Sequence, residues 1–128
     1  MTACLDAWAM LEWLHGGEPA RTRVLQLLER ERPLMSWINL GEVAYVLERR
    51  AGAERAAETI ARLRGRLKLD SPSPERVLEA AALKASHAVS YADAFAVATA
   101  KAHGAVLVTG DPEILAGDPS WQTEDLRG

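Results

Sequence analysis

Residues 105–109 form an unbroken apolar run between Gly104 and Gly110. A run without polar alternation is typical of a strand that a parallel sheet buries on both faces. The preceding residues 92–103 would be apolar on nearly every side of a helix, which predicts a buried helix that ends at Gly104. A buried helix that leads into a buried strand places the chain in the α/β class.

Short strands and helices alternate along the rest of the chain, bounded by glycine and proline. The length of 128 residues suffices for one compact domain with a core and is too short for two. We therefore predict one domain over residues 1–128, a three-layer α/β/α fold with a mainly parallel central sheet. The further strands are predicted at residues 2–5, 33–36, 67–69 and, as an edge strand, 121–123; the further helices are predicted at 7–14, 19–32, 38–51, 53–64 and 74–86.

Several protein classes are excluded by features that the sequence lacks. The single cysteine, Cys4, has no partner for a disulfide or a thiolate metal cluster, which excludes disulfide-stapled and zinc-finger folds. No apolar run approaches the roughly 18 residues that span a bilayer. The first residues, Met1 to Asp6, lack the basic and apolar regions of a signal peptide. We therefore expect a cytoplasmic protein without a membrane partner.

Charge is unevenly distributed along the chain. Fifteen Lys and Arg against eighteen Asp and Glu give a net charge of −3, which argues against a general polyanion binder. Residues 45–70 nevertheless contain seven Lys and Arg against four Asp and Glu, a local charge of +3. This segment is either a solvated helix face or a surface for phosphate groups, which arginine binds through two donors. The candidate contacts are Arg49, Arg50, Arg62, Arg64 and Arg66.

Four acidic residues occupy positions where an α/β sheet gathers its functional groups. Asp6 follows the first predicted strand, Asp111 follows the run at 105–109, and Asp93 lies in the first turn of the buried helix. Glu42 has no Lys or Arg three or four residues away on its own helix to neutralise it. Unpaired carboxylates beside apolar neighbours are costly, and strand ends converge on one crevice, so the four acids predict a bound cation. Oxygen ligands without His or Cys favour Mg²⁺, or Mn²⁺ in its place.

Each of these acids also fits the pattern of a helix cap. Helix N-termini attract acids because their first N–H groups lack partners and carry partial positive charge. The two interpretations are compatible, since a helix N-terminus can also orient a metal-binding carboxylate. The capping patterns are Asp6 as an N-cap, Asn39-x-x-Glu42 and Ser90-x-x-Asp93 as capping boxes, and Asp111 as an N-cap before Pro112.

Four motifs together make the sequence similar to a known family. They are Cys4-Leu5-Asp6, Leu40-Gly41-Glu42-Val43, residues 91–100 around Asp93, and residues 107–113 around Asp111. On these motifs the chain resembles a PIN domain of the VapC type over nearly its whole length. The resemblance implies that Asp6, Glu42, Asp93 and Asp111 form a Mg²⁺ site, which the hydroxyl of Thr109 helps to orient.

The chain departs from the family pattern directly after the first acid. Small polar residues usually follow that acid, whereas this chain has Ala7 and Trp8. The departure removes a hydroxyl that could otherwise support the site.

The resemblance implies a toxin ribonuclease of a type II toxin–antitoxin pair. Water activated by one or two Mg²⁺ ions would hydrolyse RNA phosphodiesters and leave a 5′-phosphate and a 3′-hydroxyl. The implied partners are an RNA substrate, a second copy of the chain in a homodimer, and a cognate antitoxin. The C-terminal segment of the antitoxin would cover the site and present an arginine to the carboxylates. The arginine-rich segment would contact the RNA backbone if it is a phosphate-binding surface and not a solvated helix face.

Two alternative functions stay open at this point. A non-catalytic PIN scaffold would bind RNA or an antitoxin-like protein without cleaving it. A protein phosphorylated on aspartate would use Asp6 at its strand end, but dehalogenase-type sites need a second Asp two residues later, where this chain has Trp8. The complete set of four acids favours the metal-dependent nuclease over both alternatives.

Overall fold

A five-stranded sheet forms the centre of the structure, a computed structural model that describes residues 2–128. In chain order the strands are β1 (Ala3–Leu5), β2 (Leu34–Ser36), β3 (Lys68–Asp70), β4 (Val106–Thr109) and β5 (Thr123–Asp125). They lie in the order β3-β2-β1-β4-β5, and each neighbouring pair is parallel. The carboxyl ends of the strands therefore lie along one edge of the sheet, called the carboxyl edge below.

Helices cover both faces of this sheet, so two helix layers and the sheet between them form the predicted three layers. They are α1 (Ala7–His15), α2 (Ala20–Arg30), α3 (Trp37–Ala51), α4 (Ala53–Arg64), α5 (Pro74–Ser86), α6 (Tyr91–Ala102) and α7 (Pro112–Leu115). Leu5 and Val108 pack into an apolar cluster with the first four helices, whereas Cys4 and Leu107 pack into a second cluster with α5 to α7. Successive residues of a strand point to opposite faces, so the sheet separates two helix layers. The α/β/α architecture is confirmed.

The predicted buried strand and buried helix are both confirmed. β4 pairs with β1 on one side and β5 on the other, and Leu107, Val108 and Thr109 are buried. α6 buries every residue from Ala94 to Ala100. Close packing around this helix fixes the position of its N-terminal turn relative to the sheet. Among residues 2–128, no helix combines the length and the apolar character that crossing a bilayer requires.

The start of α3 differs from the prediction. Ser36 is its N-cap and accepts a hydrogen bond from the Ile38 N–H at 3.1 Å. Asn39 lies inside the first turn, where it is fully buried. The predicted Asn39-x-x-Glu42 capping box is therefore wrong. β2 continues to Ser36 and the helix begins directly after it, so the capping position is filled before the chain reaches Asn39.

Several other boundaries also differ by one or two residues; for example, β3 covers Lys68–Asp70 where 67–69 was predicted, and α2 ends at Arg30 where 32 was predicted. Pro19 is the N-cap residue of α2 and not its first helical residue. The edge strand β5 begins at Thr123 and not at residue 121. Trp121 is buried, and its indole N–H donates to the Ile114 carbonyl at 3.3 Å. Trp121 therefore anchors the loop before the strand. The predicted edge position of this last strand is confirmed.

Trp8, in the first turn of α1, packs against Gly110 directly after β4. A Cβ atom added to Gly110 would overlap the six-membered ring of the Trp8 indole. Gly110 is buried, precedes Asp111 directly, and does not have a positive φ. It is therefore the contact with Trp8, and not the backbone conformation, that requires a residue without a side chain at this position.

We expect Gly110→Ala to destabilise the protein by about 1 to 3 kcal/mol, because the methyl group overpacks against Trp8. The indole has to move, so the tryptophan fluorescence spectrum should change as the melting temperature falls. The Trp8→Ala background has room for the methyl group, and there Gly110→Ala should have little further effect. Losses of stability that simply add would show that Trp8 does not restrict residue 110.

Candidate functional site

The ends of β1 and β4 place a carboxylate beside a hydroxyl. Leu5 pairs with Val108, so the next residues, Asp6 and Thr109, are neighbours across the two strands. The Thr109 hydroxyl donates a hydrogen bond to Oδ2 of Asp6. The same hydroxyl oxygen accepts the backbone N–H of Asp111 at 2.9 Å. The Thr109 hydroxyl therefore connects Asp6 to Asp111 through two hydrogen bonds.

Asp6 is almost fully buried, at 1% exposed. Its Oδ1 accepts the Ala9 N–H at 2.9 Å, which confirms Asp6 as the N-cap of α1. Burial, with smaller effects from the charges of Asp93 and Asp111, raises the pKa of Asp6 to about 7 against the opposing effect of its hydrogen bonds. The site therefore holds a carboxyl group whose ionised form is costly unless positive charge is close.

Asp111 caps α7 with one of its two carboxylate oxygens. Its Oδ1 accepts the backbone N–H groups of Glu113 at 2.8 Å and Ile114 at 3.3 Å, so the predicted N-cap is confirmed. Its Oδ2 accepts no hydrogen bond from any residue between 2 and 128. Capping therefore leaves Oδ2 of Asp111 available to coordinate a cation.

Asp93 lies in the first turn of α6, which Ser90 caps as predicted. The Ser90 hydroxyl accepts the Asp93 backbone N–H at 3.1 Å. Burial first, and then the charges of Asp111 and Glu42, raise the pKa of Asp93 to about 6, while hydrogen bonding to Ser90 lowers it. Asp93 is therefore in electrostatic contact with two of the other predicted acids.

Glu42 approaches the same group of acids from α3. Its Oε1 accepts a hydrogen bond from Nδ2 of Asn39 at 3.0 Å. Burial raises the pKa of Glu42, and the charge of Asp111 adds to this effect, while the bond from Asn39 lowers it. Glu42, Asp93 and the two acids that follow β1 and β4, Asp6 and Asp111, therefore belong to one electrostatic group at the carboxyl edge.

Three acids come close enough to share one ion. Asp93, Asp111 and Glu113 each offer a carboxylate oxygen, and these oxygens lie within 4.8 Å of one another. Ligands about 2.1 Å from a Mg²⁺ ion lie up to about 4 Å apart, so small side-chain movements would suffice. Asp6 and Glu42 lie outside this close group. Their carboxyl groups interact with it only through charge, as described above.

Glu113 is the one member of this close group that the sequence analysis did not single out. It is exposed and lies in the first turn of α7, a place where acids are common without any ligand. The available signal was its position two residues after Asp111 in the last motif.

The side chains of the candidate site are of the kind that bind a hard divalent cation. Over residues 2–128, none of its five acids forms a salt bridge with Lys, Arg or His. Its donors are carboxylate oxygens alone, which suit Mg²⁺ or Mn²⁺ better than softer metals. The residues therefore fit such a cation. The acids of the site are Asp6, Glu42, Asp93, Asp111 and Glu113.

Comparison with known proteins gives a family match and a set of structures with the same fold. Residues 3–117 match the PIN domain family. No curated protein matches the sequence as a relative.

Solved structures with the same fold cover nearly the whole chain. DNA-bound VapBC from Salmonella typhimurium has a TM-score of 0.77 and 21% identity over 99% of each chain. A toxin–antitoxin complex from Klebsiella pneumoniae has a TM-score of 0.77 and 18% identity over 98% of each chain. VapC20 of Mycobacterium tuberculosis, a sarcin-ricin loop cleaving toxin, has a TM-score of 0.74 and 20% identity over 93% of this chain and 98% of that one. At these identities the likeness concerns the fold.

Burial of Asp6 should make the stability of the metal-free protein depend on pH. Because its pKa is raised in the folded chain, the protonated form favours folding. This contribution is full below the unfolded-state pKa of 3.8 and is lost as the pH rises through about 7. A tenfold change in proton affinity is worth about 1.4 kcal/mol, so in EDTA the free energy of unfolding should fall by several kcal/mol across this range.

Two variants test this origin of the pH dependence by chemical denaturation. Asp6→Asn can still cap α1 through its Oδ1 but lacks the group with the most strongly raised pKa at the site, so its stability should fall less with pH than that of the wild type. The decline that remains comes from Asp93 and Glu42, whose pKa values are also raised. Asp125→Asn alters an acid on the edge strand β5 and should keep the decline of the wild type. A wild-type decline in Asp6→Asn would show that another group causes it.

Proposed function

The chain belongs to the PIN-domain family, as its motifs predict, and on this premise we propose that it is a metal-dependent endoribonuclease. The observation that carries the proposal is the group of carboxylates without countercharge, in which Asp93, Asp111 and Glu113 lie within 4.8 Å of one another. The fold likeness to a sarcin-ricin loop cleaving toxin supports the same class of substrate.

In this proposal Asp6, Glu42, Asp93 and Asp111 hold Mg²⁺, for which Mn²⁺ can substitute. When bound, the cation supplies a water of lowered pKa and neutralises charge at the phosphodiester. Thr109 keeps the Asp6 carboxylate in place through its hydroxyl, and Asp111 presents the oxygen that capping leaves unused. Glu113 lies close enough to add a further oxygen.

Three stacked arginines provide a surface for the RNA backbone. The guanidinium groups of Arg49, Arg64 and Arg66 lie over the rings of Tyr45, Trp37 and Trp13, 5.0, 4.9 and 5.9 Å from the ring centroids. Within residues 2–128 none of the three forms a salt bridge, unlike Arg23, Arg76 and Arg127. Stacking leaves the in-plane N–H donors of a guanidinium available for phosphate oxygens.

Arg64 is the stacked arginine with the clearest connection to the acids. Its partner Trp37 directly follows Ser36, the last residue of β2, and therefore lies at the carboxyl edge. Arg64 also lines a groove of about 460 Å³ between α3 and α4 together with Gly41, the residue before Glu42. An RNA chain in this groove would reach the residue that directly precedes Glu42.

We further propose that the chain is the toxin of a type II toxin–antitoxin pair. Toxin–antitoxin complexes among the structures of the same fold support this assignment. The carboxylates also suit an antitoxin arginine, because a guanidinium binds a carboxylate through two parallel N–H bonds. Such an arginine would compete with the cation and keep the enzyme inactive. Formation of a homodimer, which the resemblance implies, stays a prediction.

The purified protein should cleave RNA in the presence of Mg²⁺, leave 5′-phosphate ends, and lose this activity in EDTA. Asp93→Asn and Asp111→Asn should each lower the cleavage rate by more than about 100-fold, because losing a metal ligand exceeds the roughly 10- to 100-fold effect of losing a supporting partner. The rate is measured on total RNA and then on defined fragments. Asp125→Asn is the matched control and should cleave like the wild type.

A different result would favour the non-catalytic scaffold. In that case the wild type and the Asp93→Asn variant would bind RNA alike and neither would cleave it. Cleavage that survives in both Asp93→Asn and Asp111→Asn would contradict the proposed metal site.

The arginine surface is tested by RNA binding in an Asp93→Asn background, where cleavage does not interfere. Adding Arg64→Gln and Arg66→Gln should weaken binding of single-stranded RNA. The salt dependence of log K should also become shallower by about 0.7 for each phosphate group that the protein no longer neutralises. Arg127→Gln removes an exposed arginine that pairs with Asp125, and it should change neither quantity. An unchanged salt slope in the double variant would place the RNA elsewhere.

A further inference from the structure

Asn39 is a fully buried amide in the first turn of α3. Its Nδ2 donates two hydrogen bonds of 3.0 Å each, one to Oε1 of Glu42 and one to the backbone carbonyl of Ala92. Both partners can only accept when Glu42 is ionised, so the nitrogen and not the oxygen of the amide must face them. The orientation of this side chain is therefore fixed by its partners.

The two bonds join the helices that carry two of the predicted metal ligands. Glu42 lies one turn further along α3, whereas Ala92 lies on α6 directly before Asp93. A single NH₂ group thus holds the carboxylate of one helix against the first turn of another. The amide therefore bridges α3 and α6 beside Glu42 and Asp93.

Within the part of the chain that the structure describes, the side-chain carbonyl oxygen of Asn39 forms no hydrogen bond that would stabilise the fold. Oδ1 of Asn39 is buried and has no hydrogen-bond partner among residues 2–128. A buried acceptor without a donor destabilises the folded state. An apolar side chain of similar size would avoid this penalty, so packing alone does not account for an asparagine at this position.

We propose that Asn39 is a positioning residue of the metal site, which holds the Glu42 carboxylate against the start of α6 and so raises the affinity for the divalent cation. The inference rests on the proposed function, because it needs the carboxylates to bind that cation. Hydrogen-bond partners that orient metal ligands commonly change metal affinity by about 10- to 100-fold. Asn39 has the geometry of such a partner for Glu42.

The test measures Mn²⁺ affinity without RNA, from the electron paramagnetic resonance signal of the free ion. Asn39→Leu should bind Mn²⁺ about 10- to 100-fold more weakly than the wild type. Its melting temperature in EDTA should stay close to that of the wild type, because removal of the unpaired buried oxygen offsets the loss of the two hydrogen bonds. If the leucine prevents folding, Asn39→Ala replaces it, with the same expected loss of affinity.

A double-mutant cycle separates positioning from general structural damage. If Asn39 acts through Glu42, then Asn39→Leu should cause little further loss in a Glu42→Gln background. An equal loss in both backgrounds would overturn the proposal. Ser36→Ala is the control, since it removes the cap of the same helix without touching Glu42. It should lower the melting temperature and leave the Mn²⁺ affinity unchanged.

The outcomes distinguish this inference from the proposed function. Wild-type protein that binds Mn²⁺ and cleaves RNA, with unchanged affinity in Asn39→Leu, would overturn the role of Asn39 alone. Wild-type protein that binds no Mn²⁺ would overturn the metal site and with it the role of Asn39.

Discussion

Asp6 is buried within electrostatic reach of Asp93 and Asp111, and hydrogen bonds from nearby groups hold Asp6 and Asp111 in place. Because these side chains are fixed, their repulsion cannot be relieved by rotation into solvent. It can be relieved by protonation, by a cation, or by a guanidinium group from another chain. The sheet maintains this arrangement, since β1 and β4 are interior strands packed on both faces. The packed sheet thus holds the carboxylates close together although their negative charges repel one another.

In the proposed metal site, helix capping and cation binding would use different oxygens of Asp111. Asp111 caps α7 with Oδ1, which leaves its second oxygen available. Asp6 divides its two oxygens between the start of α1 and the hydroxyl of Thr109. A cap restricts the rotation of the carboxylate, so the oxygen that is not used for capping is already oriented. The capping pattern in the sequence was therefore correct for Asp6 and Asp111, and it does not compete with the metal interpretation.

The sequence was sufficient for the features that depend on burial patterns. The apolar run of β4 and the apolar surface of α6 could be predicted because their residues leave no polar face for solvent. The start of α3 could not, because Ser36 and Asn39 are both good capping residues and only the end of β2 decides between them. The role of Asn39 as a donor to Glu42 could not be predicted either. The Ala92 carbonyl that shares its NH₂ group lies on another helix, so the contact depends on how α3 and α6 pack together. Glu113 could not be distinguished by sequence from an ordinary exposed acid at a helix start.

The hydrogen bond between Thr109 and Asp6 joins residues 103 positions apart in the chain. β1 receives its partner β4 only after residues 106–109 have been made, although β1 is synthesised first. During synthesis on the ribosome, the acids therefore stay apart until the segment that ends at Asp111 has emerged and paired. A nascent or truncated chain that lacks this segment would have no complete group of carboxylates. The order of the strands thus delays assembly of the site until most of the polypeptide has been translated.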